Sequence, residues 1–212
     1  EITIRQLLSH TSGLPSNTIY LQDKELTLKF SVNNIAQNLS LNTAPGTEFS
    51  YGAVDYQVLG RVAEVVTNKS YQEIFQEKIA RPCSMINTKY TNTKGVAIAN
   101  DMVSTSADFS NFLSMIMNKG AFNGQKVLSS QSVEEMLSDQ TSSLPIGYAP
   151  YRYQSNTFSG YYGLGFWIDR LKSNAEVTAV STQGAKGFTG WIHLCNERIG
   201  VFSVYGDLKY IQ

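Results

Sequence analysis

The stretch PGTEFSYGAVDYQVLGRVAEVVT, residues 45–67, constrains the fold of this chain more than any other. Pro45-Gly46 is a turn pair in which proline presets φ and glycine supplies conformational freedom. Phe49-Ser50-Tyr51 follows, and an amphipathic run then begins. Val54, Val58, Val62 and Val65 recur at helical spacing, with Leu59 and Val66 widening the apolar face, so the run predicts a helix buried along that stripe. Tyr51 stands between a tight turn and a rigid element. Such a tyrosine either packs its ring at a helix entrance or holds its hydroxyl for chemistry. The segment alone leaves both open.

The flanks supply further elements. Residues 2–8, ITIRQLL, are short and apolar, then break at Ser9-His10-Thr11-Ser12-Gly13-Leu14-Pro15, a structured loop rich in small hydroxylated residues. Histidine as a residue type serves acid–base chemistry near neutral pH, but no acid lies within the loop to orient His10, and it reads as a loop brace. Leu28, Val32, Ile35 and Leu39 predict a weak helix within 24–42. Ser70-Tyr71-Gln72-Glu73 is a capping box. It opens a helix that turns Tyr71, Ile74, Phe75 and Ile79 inward and stops at Arg81-Pro82. Residues 86–100 read as polar and irregular. Ser104-Thr105-Ser106-Ala107-Asp108 caps a helix carrying Phe109, Phe112, Leu113, Ile116 and Met117, with Gly120 at its C′ position. Ser129 caps a short helix through Met136 and Leu137.

The composition then changes. Residues 145–163 are rich in tyrosine, with Phe158 among glycines and serines, and read as groove lining or as aromatic cover over a core. Residues 162–168 predict a strand, as do 191–195 and 199–205, with Asn196-Glu197-Arg198 as the hairpin turn between the last two. His193 lies inside a strand without a partner at ligand spacing and reads as structural. Helices first and antiparallel strands last make the chain α+β.

Charge excludes some partners. Seventeen basic residues balance seventeen acidic ones with no basic cluster, which argues against nucleic acid and against an acidic membrane surface. No apolar run approaches the roughly 20 residues needed to span a bilayer. Cys83 and Cys195 have no C-x-x-C partner or nearby histidine pair and read as small buried apolar residues, a disulfide between them remaining open.

Four stretches together resemble the serine β-lactamase and penicillin-binding-protein superfamily, closest to the class C β-lactamase-like proteins and their esterase relatives. They are ITIRQLLSHTSGLP at 2–15, PGTEFSYGAVDYQVLG at 45–60, MVSTSADFSNFL at 102–113 and YGLGFWI at 162–168. The resemblance implies an antiparallel sheet flanked by helices with an all-helical subdomain. It also implies acyl transfer through a serine in S-x-x-K, a Y-x-N tyrosine acting as base, and a K-T-G or H-x-G strand completing the oxyanion hole. Tyr51 matches the tyrosine of the second motif.

The departures are as informative. Ala53 stands where lactamases place an asparagine, and alanine has no side-chain hydrogen bond to give. The third motif falls within Ser181-Thr182-Gln183-Gly184-Ala185, read either from Ser181 or from Thr182. The second register is preferred because it keeps glycine where the backbone approaches a ligand, and in both the lysine or histidine is lost. None of the lysines has a serine three residues before it. Thr91-Asn92-Thr93-Lys94 has the spacing with threonine, in a polar loop far from the expected place.

In the family, S-x-x-K precedes the ITIRQLL segment and a helix follows the last strand. Residues 1–212 therefore read as one β-lactamase-like domain incomplete at both ends, mainly helical to about 140 and sheet strands from about 141. The resemblance implies no metal and no organic cofactor, a small-molecule or peptidoglycan-peptide substrate, and an extracytoplasmic setting in a bacterial cell envelope. A phenolate at pH 7 costs roughly 4 kcal/mol from a pKa near 10. Losing the third-motif cation is expected to weaken activity without abolishing it.

Overall fold

The structure, a computed structural model, describes residues 1–21, 26–92, 95–141, 143–150, 161–172, 174 and 176–204. The centre of the tyrosine-rich stretch, Thr93-Lys94 and the expected strand end at Tyr205 lie outside them.

Helices α1 (Ile4–Leu8), α2 (Leu28–Asn38), α3 (Val54–Thr67) and α4 (Tyr71–Phe75) form the first part, with the two-residue strand β1 (Phe49–Ser50) entering α3. The Ser70–Glu73 capping box is present, and α4 runs into a π-helical turn at Gln76–Ala80 before the chain breaks at Arg81. Two short antiparallel pairs follow: β2 (Lys89–Tyr90) with β3 (Met102–Val103), then β4 (Ala121–Phe122) with β5 (Gln125–Lys126). Helices α5 (Ser106–Met117) and α6 (Ser130–Leu137) start at Thr105 and Ser129, whose side chains accept from the third residue onward as caps should. At the end of α5 both Lys119 (φ +53°) and the expected Gly120 (φ +92°) take the left-handed region.

Strand β6 (Ile146–Tyr148) pairs in parallel with β1. The remaining strands, β7 (Tyr161–Tyr162), β8 (Trp167–Leu171), β9 (Val177–Gln183), β10 (Phe188–His193) and β11 (Arg198–Ser203), build a five-stranded antiparallel sheet in simple order. The architecture is α+β, as the order of elements predicted.

Alternation decides which face is covered. Ile168, Val180, Ile192 and Ile199 pair across four strands. Of that row, Val180, Ile192 and Ile199 pack with Phe109, Leu113 and Ile116 of α5 and Val133 of α6 into the main core.

Three expectations are corrected. Residues 162–168 are a hairpin, because Gly163 N–H closes on Phe166 O at 2.8 Å and Gly165 sits at φ +97°, a value open to glycine. Residues 95–98 are buried rather than a polar loop, since Val96 and Ile98 join Leu28 and Tyr90 in a second cluster. Cys83 is buried, but Cys195 lies exposed in a 3₁₀ turn, and both thiols are free.

Helix α3 departs furthest from its expected stripe. Val65 and Val66 are exposed, while Asp55, Gln57 and Gly60 join Val54 on the buried face. Gln57 explains part of this, accepting from Ile98 N–H and donating to Val96 O, both at 3.1 Å. The buried face of α3 is thus defined by polar side chains with partners, which an apolar periodicity cannot reveal.

Candidate active site

Tyr51 emerges between β1 and α3, and its position is fixed first through backbone. Phe49 N–H donates to Pro145 O at 3.0 Å, Ser50 N–H to His10 O at 2.9 Å and Tyr51 N–H to Tyr148 O at 2.8 Å. The entry segment is therefore held from both sides, by β6 and by the loop after α1. Gly52 follows where a side chain cannot fit, since a Cβ there would lie 2.1 Å from Ser16 O. Ala53 occupies the N-cap of α3 without a side-chain cap bond, and its N–H donates to Ser16 O at 2.9 Å.

The ring of Tyr51 is held by aromatic neighbours. Trp167 lies 5.0 Å away between centroids, His10 at 4.6 Å and Tyr162 edge-on at 5.9 Å. With Phe49 they form a cluster tying the N-terminal loop, the α3 entrance and the β7–β8 hairpin together. Burial pushes the Tyr51 phenol above its ordinary value of 10.0, and no cationic side chain among the described residues offsets the shift.

His10 has the acid that its loop lacks. Asp55, in the first turn of α3, accepts from His10 Nδ1 at 3.1 Å through one carboxylate oxygen and from the Ser12 hydroxyl through the other. The expectation that no acid orients His10 is corrected by a residue 45 positions away. One signal for it existed, since an acid between Val54 and Val58 falls inside an apolar stripe and needs a partner there.

The stretch 181–185 ends β9 and enters a hairpin. Ser181 is the register partner of Trp167, so the two side chains share a sheet face. Its hydroxyl donates to Asp169 Oδ1 at 2.9 Å and accepts from Gln183 Nε2 at 3.4 Å. Asp169 reaches it from a bulge in β8, where register shifts between Ile168 and Arg170. Burial raises the Asp169 carboxyl and the Ser181 bond counters only part of that.

Thr182 pairs with Gly190, whose missing side chain leaves room for Phe109 of α5, and so belongs to the core face. Gly184 N–H donates to Phe188 O at 2.8 Å, which commits it to closing the hairpin, and a Cβ there would meet the same oxygen at 2.8 Å. Ala185 is exposed. Tyr51 and Ser181, 130 positions apart, are thus joined through Trp167, while Thr182 faces away.

Residues 1–205 match the profile of the Beta-lactamase family. The chain belongs to that family. A protein from Bacteroides dorei, assigned as a beta-lactamase, is 30% identical and superposes with a TM-score of 0.85 over 96% of this chain and 64% of its own. Protein flp of Staphylococcus aureus is 33% identical over 95 residues, 43% of this beta-lactamase-family chain and 19% of flp. An Escherichia coli protein assigned as a D-alanyl-D-alanine carboxypeptidase is 29% identical over 99 residues, 42% of this chain and 22% of that protein. The chain spans less than two thirds of the Bacteroides protein, and each aligned stretch under a quarter of the curated relative.

Among the described residues, no cluster of three or more His, Cys, Asp or Glu side chains could hold a metal ion, and no helix is long and apolar enough to cross a membrane.

Proposed function

We propose that residues 1–212 form a large part of a serine hydrolase that works by acyl transfer through a covalent acyl-serine. The observation that carries this reading is the joining of Tyr51 to Ser181 through Trp167, in a chain of the Beta-lactamase family. Tyr51 is the acid–base group, and Ser181, Gln183, Gly184 and Ala185 mark the strand end against which substrate lies, Thr182 being turned to the core face. The acylated serine and its lysine come from polypeptide outside this chain.

The substrate is an ester or a D-alanyl amide. The carboxypeptidase assignment of the Escherichia coli relative supports the amide. Ala53 in place of the lactamase asparagine argues against a β-lactam as the preferred substrate. The setting is the cell envelope.

Because burial disfavours a standing phenolate at Tyr51, the hydroxyl either relays a proton in its neutral form or depends on the lysine of S-x-x-K. A cation within about 4–6 Å lowers such a pKa by about 1–3 units. A second reading, a non-catalytic module binding cell-wall peptide in the same cleft, is favoured by one observation: Gly184 N–H is already spent on Phe188.

The deciding measurement uses the natural polypeptide that carries residues 1–212, with p-nitrophenyl acetate as substrate. Saturable turnover and a trapped acyl adduct are expected, and Tyr51→Phe lowers kcat/KM by about 10²–10⁴-fold while the fold persists. A folded Tyr51→Phe protein within about threefold of the parent removes Tyr51 from the mechanism. An inactive parent that still binds a D-alanyl peptide establishes the second reading.

A further inference from the structure

His10 carries three features that a simple loop brace does not need. Its side chain is buried with Nε2 unpartnered. It adopts a left-handed backbone, φ +55°, a region uncommon for non-glycine residues in which asparagine, aspartate and histidine are enriched. Its ring touches four others, Tyr51 at 4.6 Å, Tyr56 at 4.9 Å, Tyr162 at 5.2 Å and Phe49 edge-on at 6.3 Å.

A brace alone would be met by asparagine, whose amide can donate to Asp55 and whose backbone accepts the left-handed region. Phenylalanine would fill the aromatic box but leave Asp55 Oδ2 without its His10 partner. Histidine supplies both a donor at Nδ1 and a rigid ring. The ring is the part that the brace leaves unexplained, and it is the part that meets Tyr51.

We propose that His10 is a positioning residue for Tyr51: clamped at Nδ1 by Asp55, its imidazole is a fixed wall that sets the direction of the phenol hydroxyl. The proposal rests on the reading of Tyr51 as the acid–base group. The wall is rigid because Asp55 is itself held by Ser12 and rides on the first turn of α3. Trp167 packs on the same phenol ring from the sheet, and the His10 carbonyl holds Ser50, the residue before Tyr51. His10 therefore grips the Tyr51 segment twice, by its ring and by its backbone. A small displacement of such a group is expensive, about 10²-fold in rate for an ångström.

The test is steady-state kinetics on one activated ester with the natural polypeptide and its His10→Asn variant, alongside their melting curves. The expected result is a kcat lower by about 10–10²-fold with KM within about twofold, in a variant that still melts cooperatively. A folded His10→Asn protein with kcat within threefold of the parent overturns the proposal, as does a rise in KM at constant kcat. If His10→Asn does not fold, Ser12→Ala serves instead. It frees Asp55 without altering any ring, and a kcat lower by a few fold at constant KM supports the proposal, while an unchanged kcat overturns it.

The imidazole ¹⁵N spectrum of the unmodified protein gives a check free of kinetics, the His10 signals being those that the His10→Asn spectrum lacks. His10 must carry its proton on Nδ1, and a proton on Nε2 with bare Nδ1 overturns the clamp. If Tyr51→Phe is as active as the parent, the functional reading itself fails. If Tyr51→Phe is impaired and His10→Asn is not, only the positioning role fails.

Discussion

The inner face of α3 and the seam between α5 and the sheet are equally hidden from water, yet opposite chemistry holds them. On α3 the buried set includes Asp55 and Gln57, each joined by hydrogen bonds to loops distant in sequence. Along the seam the buried set is Phe109, Leu113 and Ile116 against Val180 and Ile192, with no polar side chain needed. Non-directional packing lets the seam adapt, whereas hydrogen bonds fix the α3 face to one geometry. The difference shows where precision is concentrated, since Tyr51 sits on the directional side.

The largest expected effect tests that contrast directly. Asp55→Leu exchanges the carboxylate for a larger apolar side chain and orphans two donors, His10 Nδ1–H and the Ser12 O–H, at roughly 1–3 kcal/mol each, so a loss of about 2–6 kcal/mol is expected in urea unfolding. The matching change in the seam, Leu113→Met, is expected to cost less than about 1.5 kcal/mol, because volume-conserving apolar swaps repack. Equal losses at the two sites would erase the distinction. Leu113→Ala, which leaves a cavity, should cost about 2–5 kcal/mol and calibrates the seam.

The acid dependence of stability separates two carboxylates by sign, buried Asp108 and half-buried Asp169. Asp108, at the start of α5, is opposed by burial, but bonds from Thr88 Oγ1 at 2.8 Å and Asn87 N–H at 2.7 Å prevail and hold it below its ordinary 3.8. Its contribution is present above about 3.8 and is lost as pH falls through the lower folded value. Asp169, raised by burial, behaves in the reverse sense: its contribution is complete below 3.8 and is lost as pH rises through the raised folded value. Asp108→Asn should therefore flatten the acid limb of a Tm–pH curve, and Asp169→Asn should remove a decline on its rising side. The same slope change from both variants would contradict the assignment.

The smallest effect is chemical rather than energetic. Cys83, within the apolar core, has its thiol pushed up to about 11 by burial, while Cys195 is exposed. A maleimide should label Cys195 alone in the folded protein, leaving the melting curve in place. Rapid labelling of Cys83 would show that the seam opens more readily than its packing implies.

Much of the fold was legible in sequence because it rests on local chemistry. The Ser70–Glu73 box, the caps at Thr105 and Ser129 and the periodicity of α5 are short-range signals, and each marks its element within a residue or two. Strand β9 was less legible, since Thr182 and Gln183 break its apolar alternation and its burial comes from neighbours on both sides.

The candidate site divides in the same way. Tyr51 could be singled out because a turn, a tyrosine and a helix lie within a few residues. The pairing of His10 with Asp55 and the tilted packing of Tyr51 on Trp167 span 45 and 116 positions. The amino-acid sequence by itself determined the helices, their caps and the family motifs, because hydrophobic period and side-chain capping act within one or two turns. Only the tertiary structure decided which face of α3 is buried and what surrounds Tyr51. A buried polar group must find a partner wherever the fold brings one, and sequence spacing does not say where that is.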